Sequence, residues 1–198
     1  MTRAPLVALA MACCAMALPA AAQSTDLEKT QAEIALEQAK VTFASQRDAR
    51  QAANTACAAK DFAACVTAGD SYRKGTGGTQ DYGLALKAYD RACTGKNGEG
   101  CASLAYLTLL GRGTAENPAE ARRLYKLSCD YGEVSGCAGY GNMVYTGTGG
   151  AKNVTEGTRA LTDACNRSYK WACDKLVELG AFNPEDSTYE RLKDVRGG

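Results

Sequence analysis

Eight of the ten cysteines recur at a fixed interval of 36 residues. They form four pairs with the spacing C-x7-C, and each pair lies 36 residues after the pair before it. Self-similarity with a period of about 20 to 50 residues is typical of stacked repeats, in which each unit buries its apolar face against its neighbours. The sequence therefore predicts a repeat array. The four pairs are Cys57/Cys65, Cys93/Cys101, Cys129/Cys137 and Cys165/Cys173.

Each unit of this array has the pattern of two helices joined by a glycine turn. In the first half of the unit, apolar positions recur three and four residues apart, which indicates a helix with one packed face. Two glycines then follow, and glycine readily adopts the left-handed conformation that ends a helix. The glycine pairs are Gly75/Gly77, Gly111/Gly113 and Gly147/Gly149.

The second helix of each unit begins with a residue suited to capping it. Asp81, Asn117 and Asn153 occupy this position, and each has a short side chain that can accept a free backbone N–H. Pro118 follows Asn117, where the missing N–H of proline has no cost. A glutamate lies three residues after two of the caps, as in a capping box. These glutamates are Glu120 and Glu156.

The spacing within each cysteine pair constrains how the pair can be bonded. Residues eight apart in one helix are separated by about 12 Å, whereas a disulfide needs Cα atoms within about 7 Å. Bonding within a pair therefore requires a turn, and the intervening glycines favour one. Bonding across each helical hairpin also respects the repeat, but it leaves Cys57 and Cys173 at opposite ends of the array. Bonding within each pair uses all eight cysteines and is the pattern we favour.

The N-terminal region has the features of an export signal. Arg3 precedes an apolar run from Leu6 to Leu18, and Ala20-Ala21-Ala22 provides a small-residue cleavage site. Residues 1–22 are therefore predicted to be a signal peptide, with lipoprotein processing at Cys13 as the alternative. Cleavage leaves an even number of cysteines, which indicates a disulfide framework in the periplasm or outside the cell. It also leaves no later segment apolar enough to span a membrane.

Helical caps are predicted at both ends of the repeats, which cover residues 57–176. Residues 23–56 form an N-terminal capping region that lacks proline and glycine. This region is either one long helix or two helices with a break near Ser45. Residues 177–198 form a C-terminal capping helix. The predicted fold is therefore an all-α solenoid of about four disulfide-clasped helical hairpins with helical caps.

Composition excludes several classes of function. The chain has no histidine, so catalytic triads with histidine and zinc sites with histidine ligands are absent. Zinc sites of four cysteines would require paired ligands two to four residues apart, which the spacing does not provide. Removal of residues 1–22 leaves 22 basic and 22 acidic residues, so nucleic acid is not an expected partner. No cofactor is indicated.

One short motif suggests catalysis. Ser71-Tyr72-Arg73-Lys74 matches the S-x-x-K nucleophile motif of serine β-lactamases and penicillin-binding proteins. The partner motifs Ser-x-Asn and Lys-Thr-Gly are missing, and Ser71 lies in phase with the apolar Leu107 and Met143. Ser71 and Lys74 are therefore weak catalytic candidates, and the chain is not expected to be an enzyme.

The pattern Leu104-Ala105-x-Leu107, Gly111-x-Gly113 and Asn117-x3-Ala121-x2-Leu124-Tyr125 resembles the Sel1-like repeat, a relative of the tetratricopeptide repeat. With the cysteine pairs and the export signal, the chain resembles secreted proteins of the Helicobacter cysteine-rich type. The resemblance implies a right-handed α/α superhelix with a concave binding face. The ten tyrosines and Trp171 are expected to pack mostly in the core or between repeats, with a minority of them lining a groove. The resemblance also implies a scaffold for a protein or peptide partner, or alternatively a penicillin-binding protein with weak β-lactamase activity that takes a small β-lactam.

Overall fold

The computed structural model describes the backbone of residues 20–181 and the side chains of residues 30–181. Every regular element within that range is an α-helix. The chain divides into two compact units, Met1–Thr42 and Phe43–Gly198. The helices are α1 (Ala20–Ala58), α2 (Phe62–Lys74), α3 (Tyr82–Thr94), α4 (Gly98–Leu109), α5 (Pro118–Asp130), α6 (Val134–Thr146), α7 (Val154–Asn166) and α8 (Lys170–Glu178).

The second unit is built from helical hairpins that stack in chain order. The described part contains three complete hairpins, α2/α3, α4/α5 and α6/α7, and α8 takes the first-helix position of a further unit. The end of α1 takes the second-helix position before α2, since Cys57 is in phase with Cys93. The first helices also contact one another in series, α2 with α4, α4 with α6 and α6 with α8. They therefore form the inner row of an α/α solenoid, which confirms the predicted fold class.

The predicted caps of the second helices are confirmed. The side chains of Asp81, Asn117 and Asn153 accept backbone N–H bonds from Leu84, Glu120 and Glu156, respectively. Pro118 occupies the first turn of α5. The first helices are capped by residues that the sequence analysis missed, although they share one phase of the repeat. These caps are Asp61, Asn97 and Glu133.

Of each predicted capping box, one half forms, the bond from the N–H of the glutamate to the side chain of the cap residue, and the reciprocal half does not. A capping box needs the glutamate to accept the backbone N–H of the cap residue. That N–H instead donates to the end of the preceding helix, from Asn117 to the carbonyl of Thr108 and from Asn153 to the carbonyl of Val144. The tight hairpin places this carbonyl within reach, so the glutamates are left for other partners. Glu120 binds Arg123, and Glu156 accepts bonds from the hydroxyl of Tyr140 and from the side-chain amide of Asn153.

The glycines of each pair have different roles. The first glycine closes the helix with positive φ, as at Gly75, whose N–H donates to the carbonyl of Ser71. The second glycine packs against the preceding unit. A Cβ at Gly149 would overlap the carbonyl of Pro118, and a Cβ at Gly77 would overlap the carbonyl of Gln46. The glycine pair therefore shapes both the hairpin and the stacking of one unit on the next.

The four C-x7-C pairs are bonded within each pair in the structure, at Cα–Cα distances of 4.4 to 4.8 Å. Each bond joins the second helix of one unit to the first helix of the next. The chain turns between the two cysteines through one residue with positive φ. These residues are Lys60, Lys96, Gly132 and Ser168, again one phase of the repeat.

The N-terminal helix shows no break near Ser45. α1 is continuous from Ala20 to Ala58, so the alternative of one long helix is correct. Ala39 and Val41 stand where the repeat phase places Gly75 and Gly77 in the next unit. Without glycine, the left-handed turn that separates the helices of a hairpin is less favourable. Helix therefore continues through the position that would otherwise be a turn.

The predicted signal sequence and C-terminal cap lie mostly outside the described residues. Residues 1–19 and 182–198 are not described, so signal cleavage, processing at Cys13 and the final helix stay predictions. The domain boundaries at 22, 56 and 176 stay predictions as well. Among the described helices, none has both the length and the apolar character of a membrane span.

Candidate functional site

The inner row of helices forms a groove with a volume of about 550 Å³. We call it the aromatic groove. Residues of α2, α4, α6 and the start of α8 line it, together with one tyrosine of α5. Its large apolar and aromatic side chains are Tyr106, Leu109, Tyr125, Met143, Tyr169 and Trp171. Its polar side chains are Arg73, Ser103, Ser135 and Asn142.

Two aromatic side chains of the groove are open to solvent. Tyr106 is 44% exposed and Trp171 is 45% exposed. The ring of Trp171 lies 6.4 Å from the ring of Tyr169, measured between centroids. Exposed aromatic side chains of this size are the usual anchors of a binding surface, because they bury a large area with few rotatable bonds. The expectation that some aromatic residues line a groove agrees with this placement.

Asn142 provides the most informative polar atom in the groove. Its Oδ1 is buried and has no hydrogen-bond partner, and it is the one such side-chain atom among the described residues. A buried carbonyl oxygen without a donor loses the hydrogen bonds that water would supply. Asn142 lines the groove, so a ligand with an N–H group could supply the missing donor once the amide turns its oxygen toward the groove.

Tyr125 lies at the base of the groove, and it is 9% exposed. Burial raises the pKa of its phenol, and the neighbouring phenols of Tyr106 and Tyr169 raise it further. The ring lies so close to Gly139 that a Cβ there would overlap it. Glycine at position 139 therefore lets the α5 tyrosine reach the inner surface.

The rim of the groove at α2 carries a cluster of charged side chains. Asp70 accepts hydrogen bonds from Tyr89, Arg73 and Lys74. Burial acts to raise the pKa of Asp70, but the bonds from Lys74 and Tyr89 and the charge of Arg73 outweigh it, so this pKa is lowered. Burial and the bond to Asp70 raise the pKa of Tyr89. Arg73 is the charged side chain that this cluster presents to the groove.

The weak catalytic candidates Ser71 and Lys74 are each bonded to other groups. The hydroxyl of Ser71 donates to the carbonyl of Thr67 at 3.0 Å, one turn earlier in α2. The ammonium of Lys74 binds Asp70 at 2.8 Å. A nucleophilic serine needs a base within hydrogen-bond reach, and the charged partner of Lys74 here is a carboxylate. Neither residue lines the groove.

The described residues include no cluster of acidic, cysteine or histidine side chains that could hold a metal ion. The eight cysteines of the repeats are bonded as disulfides, so their sulfur atoms are not thiolate ligands.

Sequence reasoning missed the individual residues of the groove. Asp70, Tyr106 and Asn142 share one phase of the repeat, and so do Arg73 and Leu109. At these inner positions the residue type changes from one unit to the next. This change was the available signal, because positions that only support the fold keep similar residue types in every unit. The sequence alone did not show which phase faces inward.

The solved structures that share this fold include three repeat proteins. A Sel1 repeat protein from Oxalobacter formigenes is 25% identical, with a TM-score of 0.59 over 64% of this chain and 52% of that chain. A protective antigen with an SLR fold from uropathogenic Escherichia coli is 21% identical, with a TM-score of 0.65 over 75% of this chain and 34% of that one. Helicobacter pylori cysteine rich protein B is 22% identical, with a TM-score of 0.54 over 67% of this chain and 95% of that one.

These likenesses confirm the resemblance to Sel1-like, cysteine-rich repeat proteins and establish the solenoid fold. The chain spans about half the length of the Oxalobacter protein and a third of the Escherichia coli antigen. No protein-family model and no curated protein matches the sequence.

Proposed function

We propose that this protein is an exported Sel1-like scaffold that holds a peptide segment of a partner protein in the aromatic groove. The observation that carries the proposal is the unpartnered, buried Oδ1 of Asn142 in a groove with two exposed aromatic side chains.

The aromatic side chains supply most of the proposed affinity. Trp171 and Tyr106 each present about half of their surface to the groove or to solvent. Covering a side chain of this size with an apolar residue of a partner contributes about 1.5 to 3 kcal/mol. Leu109 adds apolar surface to the groove, and the nearly buried Met143 lines it as well.

The polar atoms of the groove match the backbone of a peptide. Oδ1 of Asn142 can accept an N–H, and the hydroxyl of Tyr125 can donate to a carbonyl oxygen. Each peptide unit carries one group of each kind. A peptide would therefore satisfy Asn142 through its main chain, whatever its sequence, while its side chains contact the aromatic walls.

The proposed location rests on the cysteines. Four disulfides persist in an oxidising compartment, which in bacteria means the periplasm or the outside of the cell. The same compartment is where the predicted signal peptide would direct the chain.

The single tryptophan makes the proposal directly testable. Trp171 is the only tryptophan of the chain and lines the groove, so its fluorescence reports occupancy. Peptides selected by display on the oxidised protein should shift this emission on titration. The same peptides should bind Asn142→Ala and Tyr106→Ala at least about ten-fold more weakly, a loss of about 1.4 kcal/mol.

Tyr131→Ala is the matched control. Tyr131 is an exposed tyrosine in the connection after α5, and it does not line the groove. It should leave peptide affinity unchanged. Selected peptides that bind both groove variants with wild-type affinity would contradict the proposal, and so would peptides that bind without changing the emission of Trp171.

A further inference from the structure

The four disulfides differ in how far their cysteines are exposed. Both cysteines are buried in the first two bonds, at 4% and 0% exposure for Cys57 and Cys65 and 5% and 0% for Cys93 and Cys101. In the last two bonds one cysteine is partly exposed and the other is buried. Thiol attack requires access to a sulfur atom. The partly exposed cysteines are Cys129, bonded to Cys137, and Cys173, bonded to Cys165.

Arg167 distinguishes one of these two bonds from the other. Its Nη1 lies 3.9 Å from Sγ of Cys137, and its Nη2 donates a 2.6 Å hydrogen bond to the carbonyl of Gly132. The second contact anchors the guanidinium beside the sulfur. The carboxylate of Asp163 also pairs with Nη1, at 3.7 Å, and offsets part of the positive charge of the guanidinium. The positions 36 and 72 residues before Arg167 hold Tyr131 and Gly95, so the repeat places no arginine beside the two buried bonds.

We propose that Cys129–Cys137 is a thiol-exchange site, the disulfide of this array that thiols attack first. The thiolate of a small thiol or of a dithiol protein attacks Sγ of Cys129, forming a mixed disulfide there. The Cys129–Cys137 bond breaks, and its electron pair leaves on Sγ of Cys137. Arg167 stabilises this leaving thiolate, and a leaving group that is better stabilised departs faster. A second thiol then attacks the mixed disulfide and releases Cys129 as a thiolate, so two electrons enter the protein.

The position of this bond gives its reduction a structural consequence. The buried core has two large clusters, one formed mainly by α2 to α5 and the other by α6 to α8, and a small cluster of three alanines. Cys129 lies in the last turn of α5 and Cys137 in the first turn of α6, and both pack in the second large cluster, so the bond links α5 covalently to that cluster. Thiol exchange at this site would break the covalent link between α5 and α6, while the other three disulfides of the two large clusters stay intact. The inference requires no ligand and is independent of the proposed function.

Timed reduction tests the proposal. The oxidised protein is treated with limiting dithiothreitol, quenched with iodoacetamide and mapped by mass spectrometry. Cys129–Cys137 should be lost first, Cys165–Cys173 second, and the two buried bonds last. With glutathione in place of dithiothreitol, the trapped intermediate should carry glutathione on Cys129 and the alkyl group on Cys137. Simultaneous loss of all four bonds, or glutathione on Cys137, would overturn the proposal.

Variants of Arg167 separate thiolate stabilisation from a structural role. Arg167→Gln should slow reduction of Cys129–Cys137 by about three-fold or more, and Arg167→Lys should restore part of the rate. If Arg167 only held the loop through Gly132, its loss would loosen the loop and speed reduction instead. Arg159→Gln is the control, because Arg159 is an exposed arginine of the same helix. An unchanged or faster rate in Arg167→Gln would refute the role of Arg167.

Discussion

The hydroxyl of Tyr89 donates a 2.6 Å hydrogen bond to Oδ1 of Asp70, which ties the second helix of one hairpin to its first helix. Tyr125 occupies the same phase one repeat later, but the position equivalent to Asp70 holds Tyr106. A buried tyrosine at this repeat position thus completes a charged network in one unit, as Tyr89, and forms the base of the aromatic groove in the next, as Tyr125. The contrast arises at two inner positions of α4, where Tyr106 and Leu109 stand in place of Asp70 and Arg73.

Replacing the two tyrosines by phenylalanine should therefore have different effects. Tyr89→Phe removes two hydrogen bonds with charged groups, the one donated to Asp70 and the one accepted from Arg73, and because both groups are partly exposed we expect a loss of about 1 to 2 kcal/mol in the free energy of unfolding. Tyr125→Phe should change that free energy by less than about 0.5 kcal/mol, since it keeps the buried ring and removes no bond of this kind. Urea unfolding of the oxidised proteins at pH 7 measures both, and equal losses would show that the bonds to Asp70 and Arg73 contribute nothing.

The same network predicts a dependence of stability on pH. The pKa of Asp70 is lowered in the folded protein, so the unfolded chain takes up its proton at higher pH. The stabilisation from Asp70 is therefore present above its ordinary pKa of 3.8 and is lost as the pH falls through the lower, folded value. Asp70→Asn should lose stability at pH 7 and approach the wild type below pH 3. A difference that stays constant from pH 7 to pH 3 would contradict this assignment.

Much of the fold could be predicted from sequence because the repeat shows each signal several times. Asp81, Asn117 and Asn153 each begin a helix, and agreement among three units outweighs the ambiguity of any one of them. The reciprocal bonds of the predicted capping boxes, from the cap N–H to the glutamate side chain, do not form for a physical reason. The competing acceptors, the carbonyls of Thr108 and Val144, belong to the preceding helix and reach the cap only after the hairpin closes.

The groove could not be predicted residue by residue, because the side chains that line it differ in type between equivalent positions of the repeat. Tyr106 and Trp171 are exposed only because the inner row of helices is concave at their positions. The missing partner of Asn142 is a property of packing, which no local pattern encodes. Arg167 likewise reaches Cys137 across 30 residues of chain, and its neighbours in sequence give no sign of that contact.

The geometry around Ser71 leads us to expect no reaction with β-lactams. The Ser71 hydroxyl donates to Thr67, and Lys74 binds Asp70, so the pair lacks the serine–base contact that acylation needs. The oxidised protein should neither hydrolyse a chromogenic β-lactam nor take up labelled penicillin. A serine β-lactamase confirms the assay. Labelling that disappears in Ser71→Ala and persists in Ser103→Ala would establish the activity and contradict this expectation.

The second glycine of each turn should be the position least tolerant of a side chain. Gly149 has a φ of +73°, and a Cβ there would overlap the carbonyl of Pro118 and the backbone nitrogen of Ala119. Both groups belong to the first turn of α5, so no side-chain rotation can relieve the overlap. Gly149→Ala should therefore combine the cost of a left-handed residue with a shift of one unit against the next, about 2 to 4 kcal/mol in total.

Gly132→Ala provides the control for backbone conformation alone. Gly132 has a φ of +87°, but no atom lies within 4 Å of a Cβ placed there. Lys60, Lys96 and Ser168 take positive φ at the same phase of the repeat, so the fold accepts side chains at this position. Gly132→Ala should cost only about 1 kcal/mol. Urea unfolding of the two variants compares these costs directly. A loss in Gly132→Ala as large as that in Gly149→Ala would mean that the turn conformation, and not contact between units, makes the second glycine necessary.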